Sequence, residues 1–179
     1  MRTRSLLQPR VGAVLALVDP ALGGHVESVH AFRVAARSLR AALRTLTRRP
    51  DSSAVLRTRD TLRAAIRALA DVRDRDVGRS LILKIKTGSE SALALKRRML
   101  GLCESERRLA LTQGHGLWPK RLDHLLIDLL DRGEPALNTI IRRTRAEAWQ
   151  QRRRALALIQ TLGRRYHPEE LHELRIRVR

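Results

Sequence analysis

Leucine, alanine and arginine recur at spacings of three and four along almost the whole chain, and no alternating β-branched run of strand type interrupts them. That period admits amphipathic helices and little else. The expected fold is therefore all-α, an antiparallel helical bundle. Punctuation divides the pattern. Pro20 with Gly23-Gly24 closes a first helix, and a long second helix runs to about Arg49, stopped by Pro50. Asp51-Ser52-Ser53 supplies N-cap candidates for a helix carrying Leu56, Leu62, Ile66, Leu69 and Val72. Gly88-Ser89-Glu90 restarts a helix that fades near Gln113, and Gly114-His115-Gly116 reads as a loop. Pro119 opens a shorter helix ending at about Asp131-Arg132-Gly133, and Pro135 a long one to about Leu162. His167-Pro168-Glu169-Glu170 places a proline and two acids where a last helix starts, which suits its positive end.

Charge narrows the function. The 179 residues carry 37 Lys+Arg against 18 Asp+Glu, a net charge of +19. Hydrophobic residues make up 43 %, enough for a packed core, so this charge does not mark a disordered tail. Lys84, Lys86, Lys96 and Lys120 are the only lysines, and every other base is an arginine, whose planar fork matches phosphate. Phe32, Trp118, Trp149 and Tyr166 are the whole aromatic supply. Proteins that bind single strands stack bases on aromatic platforms, and this chain cannot build a large one. Phosphate is the better-suited partner.

Cys103 stands alone, so no internal disulfide forms, which fits a reducing, cytoplasmic setting. No apolar run approaches the roughly 18 residues of a membrane span, and no membrane association is expected. Met1–Arg10 is basic and Val11–Val18 apolar, the outline of a signal peptide. Asp19-Pro20 follows at once, however, and a first helix with its apolar residues turned inward is the simpler reading.

The helix holding His30 is the informative one. Arg33, Arg37, Arg40, Arg44 and Arg48 follow at steps of four, three, four and four. With His30 they fall within roughly 80° of arc, a stripe about 27 Å long. Phe32, Ala35, Ala36, Leu39, Leu43 and Leu46 occupy the opposite side, an apolar face for the core. A solvated charged face is the plain alternative. Solvated faces usually mix signs, though, because like charges at i,i+4 each cost a few tenths of a kcal/mol. Between Ala31 and Arg49 there is no acid at all. An anion that supplies the missing charge explains such a row better.

The pattern recurs near the far end. His30-x-x-Arg33-x-x-x-Arg37 is matched by His172-x-x-Arg175-x-x-x-Arg179, and an apolar residue (Val29, Leu171) precedes each histidine. Two copies on two expected helices suggest a duplicated helical unit.

The segments "VHAFRVAARSLRAAL" and "LHELRIRVR" resemble the two signatures of the CHAD domain, the conserved histidine α-helical domain. A third, "LADVRDRDV" (Leu69–Val77), resembles that family's R-D-x-D-V motif in the helix after the first signature. The likeness spans the chain in the family's order. It implies two pseudo-symmetric helical bundles facing each other across a basic cavity, with residues 1–133 the first bundle and 134–179 the start of the second. It also implies binding of inorganic polyphosphate and association with polyphosphate granules. By position, the ligand-facing residues it implies are His30, Arg33, Arg37, Arg40 and Arg44, then Arg73, then His172, Arg175 and Arg179.

Three departures stand out. Ser38 occupies a position that is usually basic, and Ala70 one that is usually glycine. The second signature also stops at Arg179, short of the family's further basic residues and helices. A bundle truncated there exposes an apolar face, so self-association that completes the site is expected.

Other constellations point nowhere sharper. In Arg73-Asp74-Arg75-Asp76 the carboxylates are expected to pair with nearby arginines and hold the stripe in position. Two carboxylates alone are thin evidence for magnesium. His25, His30, His115, His124, His167 and His172 form no zinc spacing, and no metal or other cofactor is expected. His30 and His172 are instead hydrogen-bond donors to phosphate, or else helix-start residues satisfied locally. No Gly-rich phosphate loop or nucleophile elbow occurs, so no enzyme is expected. Trp118 and Trp149 read as core or interface anchors. The functional expectation is non-enzymatic polyphosphate binding. The alternative is a binder of nucleic-acid backbones without base readout, nucleic acid otherwise being a weaker competitor.

Overall fold

The computed structural model describes residues 5–162. The expected last helix, with His172, Arg175 and Arg179, lies outside the described residues. Among those residues there are seven helices and no strand: α1 (Gln8–Leu22), α2 (Val26–Leu46), α3 (Ser53–Ala68), α4 (Ala70–Lys84), α5 (Glu90–Leu117), α6 (Leu122–Asp131) and α7 (Leu137–Leu162). The chain divides into two compact units, Met1–Glu134 and Pro135–Arg179.

In the first unit α2 packs against α1, α3 and α4, α6 closes over α1 and α3, and α5 pairs with α4. The apolar side of α2 is the centre of this core: Val29, Phe32, Ala36, Leu39 and Leu43 are fully buried, and Leu46 nearly so. Val11 and Val14 of α1, Leu62 of α3, Leu69, and Leu126 and Leu129 of α6 complete it. Burying each such aliphatic side chain is worth about 1.5–3 kcal/mol, and the three-and-four spacing of the sequence directs them all to one side. Trp118 joins the core edge, its ring centroid 5.3 Å from that of Phe32.

Two caps show how local chemistry starts and holds these helices. Ser52 accepts a hydrogen bond from the Val55 N–H, so α3 begins as the Asp51-Ser52-Ser53 run implied. At α1 the Ser5 hydroxyl accepts from the Gln8 N–H at 3.0 Å, but the first turn holds no acid of its own. Instead Glu134, at the far end of the unit, accepts from Ser5 Oγ (2.6 Å) and the Leu7 N–H (2.6 Å) with one carboxylate oxygen, and from the Leu6 N–H (3.1 Å) with the other. Burial pushes that carboxyl upward, but the bonds from Ser5, Leu7 and Leu6 and the charge of Arg10 outweigh it and hold it below the ordinary glutamate value.

Helix boundaries differ from the sequence expectation in four places, each for a packing or hydrogen-bonding reason. Pro20 lies inside α1, which continues to Leu22. The glycines end it: Gly24 adopts a left-handed φ of 76°, and the His25 N–H turns back to the Pro20 carbonyl. α2 stops at Leu46 because Thr47 is extended and its hydroxyl donates to the Leu43 carbonyl at 2.6 Å, replacing the helical bond. The helix expected to run through Leu56 and Val72 breaks at Leu69, a fully buried residue between α3 and α4. The "RDRDV" segment therefore sits one helix later, in α4. Finally, α5 runs unbroken through Gly114-His115-Gly116. A Cβ on Gly114 would lie 2.6 Å from the Ala68 carbonyl oxygen, so this glycine permits close helix contact and does not break the helix.

α4 and α5 form a hairpin whose outer length is solvent-exposed and carries Leu81, Leu83, Leu95, Leu102 and Leu109. Lys96 closes its tip, donating to the Leu83 and Ile85 carbonyls. In the second unit, α7 carries Trp149, 60 % exposed, with the Arg153 guanidinium 5.1 Å from its ring centroid. Trp149 is thus a surface residue covered by a cation, in contrast to the core position of Trp118. Among the described residues, no helix is long and apolar enough to cross a membrane.

Candidate anion-binding site

Burying Phe32, Leu39 and Leu43 turns the opposite side of α2 outward and fixes where its bases point. His30, Arg37 and Arg44 are exposed, while Arg33 and Arg40 are half-buried. Because α2 ends at Leu46, Arg48 lies beyond the extended Thr47 and does not continue the helical row. The row from His30 to Arg44 is about 21 Å long at 1.5 Å per residue, shorter than the sequence alone suggested.

The half-buried arginines show how the row is seated. Arg33 Nη1 donates to the Ile66 carbonyl at 2.7 Å, anchoring α2 to the end of α3 just before the Leu69 break. Burial and the Arg37 guanidinium hold Arg33 below the ordinary arginine range, with Arg73 adding to the effect and Asp74 and Asp71 opposing it. Arg73 of α4, reached only through the turn at Leu69, thereby joins the α2 row. Arg40 is lowered by burial first, then by Arg63, Arg59, Arg37 and Arg44. Four guanidiniums therefore act on that of Arg40 from two helices, Arg37 and Arg44 on α2 and Arg59 and Arg63 on α3.

Arg59 and Arg63 are the site residues that sequence reasoning missed. They lie one turn apart on α3 and come against Arg40 because α3 packs along α2. Arg59 Nε is buried without a hydrogen-bond partner among the described residues. Their i,i+4 spacing was a signal, but Asp60 and Arg57 beside them disguised it as an ordinary mixed-charge face.

The acids of the "RDRDV" segment separate. Asp74 is exposed, and its charge acts on Arg33. Asp76 is almost fully buried and pairs with Arg107 of α5 at 2.5 Å, and Arg107 also donates to the Gly24 carbonyl. That pair ties α4, α5 and the α1–α2 turn together and does not touch the stripe, which corrects the expectation for Asp76. Among the described residues no three potential metal ligands cluster.

Together these positions give a two-helix face of positive charge, about 21 Å long, seated on a rigid core and continued by Arg73. Such a face can neutralise a linear anion through bidentate contacts at successive turns. The family model described as CHAD domain matches residues 5–179 of this chain. No curated protein and no solved structure matches it.

Proposed function

The chain belongs to the CHAD domain family, and from that premise we propose that it binds inorganic polyphosphate, without catalysis, on the face built from α2 and α3. The family is associated with polyphosphate binding and is generally non-catalytic. The observation that carries the reading is that the half-buried Arg40 lies where the charges of Arg63, Arg59, Arg37 and Arg44 act on it from two packed helices. Positive charge concentrated in this way suits a ligand that carries repeated negative charge. His30, Arg33 and Arg73 extend the same face, and His172, Arg175 and Arg179 are its counterparts in the repeated motif.

In this mechanism the arginines replace the counterions condensed on a polyphosphate chain. Affinity rises with chain length and falls with salt. If seven arginines engage, the log–log salt slope is about −5 on the coefficient for flexible single strands. Nucleic acid shares the phosphate chemistry but has a lower charge density and offers bases that no aromatic platform here receives. Polyphosphate granules are the setting this binding fits, and a second copy of the chain is a further proposed partner.

The test is a titration of long-chain polyphosphate at several salt concentrations with duplex DNA as competitor. The expected result is tight, salt-steep binding that DNA does not displace. Ready displacement by DNA moves the reading to a nucleic-acid binder, and no binding to either polymer overturns both.

A further inference from the structure

A second basic site lies on the other side of α3. Arg57 is two positions from Arg59, so it points about 200° away around the helix, off the polyphosphate face. There it lines a cleft of about 420 Å³ between the start of α3 and the whole length of α6. The opposite wall is Leu125 together with four polar residues of α6 and its two caps: Arg121, His124, Asp128 and Arg132. Their spacings of three, four and four put them on one side of α6, while Leu122, Leu126 and Leu129 face the core.

The charge of this cleft differs in kind from that of the stripe. Three guanidiniums line it, one from α3 and one from each end of α6, and one carboxylate lies between them. Arg121 is at the N-cap of α6, where its charge adds to the positive end of the helix, and Asp123 in the first turn offsets this in part. Arg132 is at the other end, beside the last carbonyls. Asp128 falls between them. A polyanion lying along α6 would meet that carboxylate at its middle, so a uniformly charged chain is poorly suited. A molecule with phosphate at one end and hydroxyl donors along its body is suited: the arginine at one end takes the phosphate bidentately, and Asp128, one turn before Arg132, accepts from a hydroxyl. The volume is that of a small-molecule site and encloses no long polymer.

We propose that this cleft binds a small phosphorylated molecule carrying hydroxyl groups, of the sugar-phosphate class, independently of the polyphosphate face. The test titrates glucose 6-phosphate and, separately, pyrophosphate into the full chain, with the charge reversal Arg57→Glu/Arg132→Glu and the milder Asp128→Asn. Saturable binding of glucose 6-phosphate is expected, lost at least tenfold in the double variant while affinity for long-chain polyphosphate stays within about twofold of the original. Retained polyphosphate binding also shows that the double variant is folded. Asp128→Asn is expected to shift preference toward pyrophosphate by severalfold, because it removes the repelling charge. The proposal is overturned if neither small phosphate saturates, if Arg37→Glu/Arg63→Glu on the other face removes their binding instead, or if Asp128→Asn leaves the preference unmoved. Failure of the polyphosphate reading is separate, because it is read with polyphosphate on that opposite face.

Discussion

The α2–α3 face and the α4–α5 hairpin are both arginine-rich and both exposed, yet they treat charge in opposite ways. On the hairpin the bases meet acids: Arg75 pairs with Glu106 at 3.0 Å, Arg108 with Glu104 at 3.4 Å, and Arg107 with the buried Asp76. On the α2–α3 face the strongest influences on Arg40 after burial are four other arginines. Arginine count alone therefore says little about binding. What marks the proposed site is a row of arginines whose charges act on one another across a packed helix pair. The hairpin shows the other use, in which the same residue type joins helices.

The comparison breaks first on net charge. Arg37→Glu/Arg63→Glu and Arg75→Glu/Arg108→Glu change the total by the same amount. The first pair is expected to lower affinity for long polyphosphate about 1,000-fold, or about 4 kcal/mol, and the second less than about threefold. Equal losses in the same titration mean that overall charge, and not this face, binds the ligand. Circular dichroism of both variants is expected to keep the original helicity.

Next in size is the buried pair of the hairpin. Asp76→Ala leaves Arg107 buried without its carboxylate and is expected to destabilise the fold by about 3–5 kcal/mol in urea unfolding. Gly114→Ala forces a methyl group against the Ala68 carbonyl where α5 meets the α3–α4 turn, with an expected cost of about 1–3 kcal/mol. If the alanine is neutral, the close approach of α5 is not tight.

Glu134 sharpens the contrast through pH. Its folded carboxyl is held below the ordinary value of 4.5, so it contributes stability above that pH and loses it as pH falls through the lowered value. Glu134→Gln is expected to cost about 1–2 kcal/mol at pH 7, with the gap to the original chain closing as pH falls through that lowered value. A constant gap across that range assigns the effect to packing. The smallest effect belongs to Arg75→Ala, whose half-exposed pair with Glu106 is expected to contribute less than about 0.5 kcal/mol.

Much of this was legible in the chain itself. The spacing of Phe32, Leu39 and Leu43 against Arg33, Arg37, Arg40 and Arg44 determined that α2 has a packed side and a charged side, because a 3.6-residue period leaves no other way to bury the apolar set. The motif resemblance also implied Arg73, whose charge acts on Arg33. What only the tertiary structure decided is how those helices meet. The packing of α3 along α2 brought Arg59 and Arg63 to Arg40, and the break at Leu69 brought Arg73 to Arg33. The same packing turned Arg57 to the far side and sent Asp76 inward to Arg107. A sequence carries the direction of each side chain about its own helix axis. Which two axes lie together depends on the sum of burial across the whole core, and no local spacing encodes that sum.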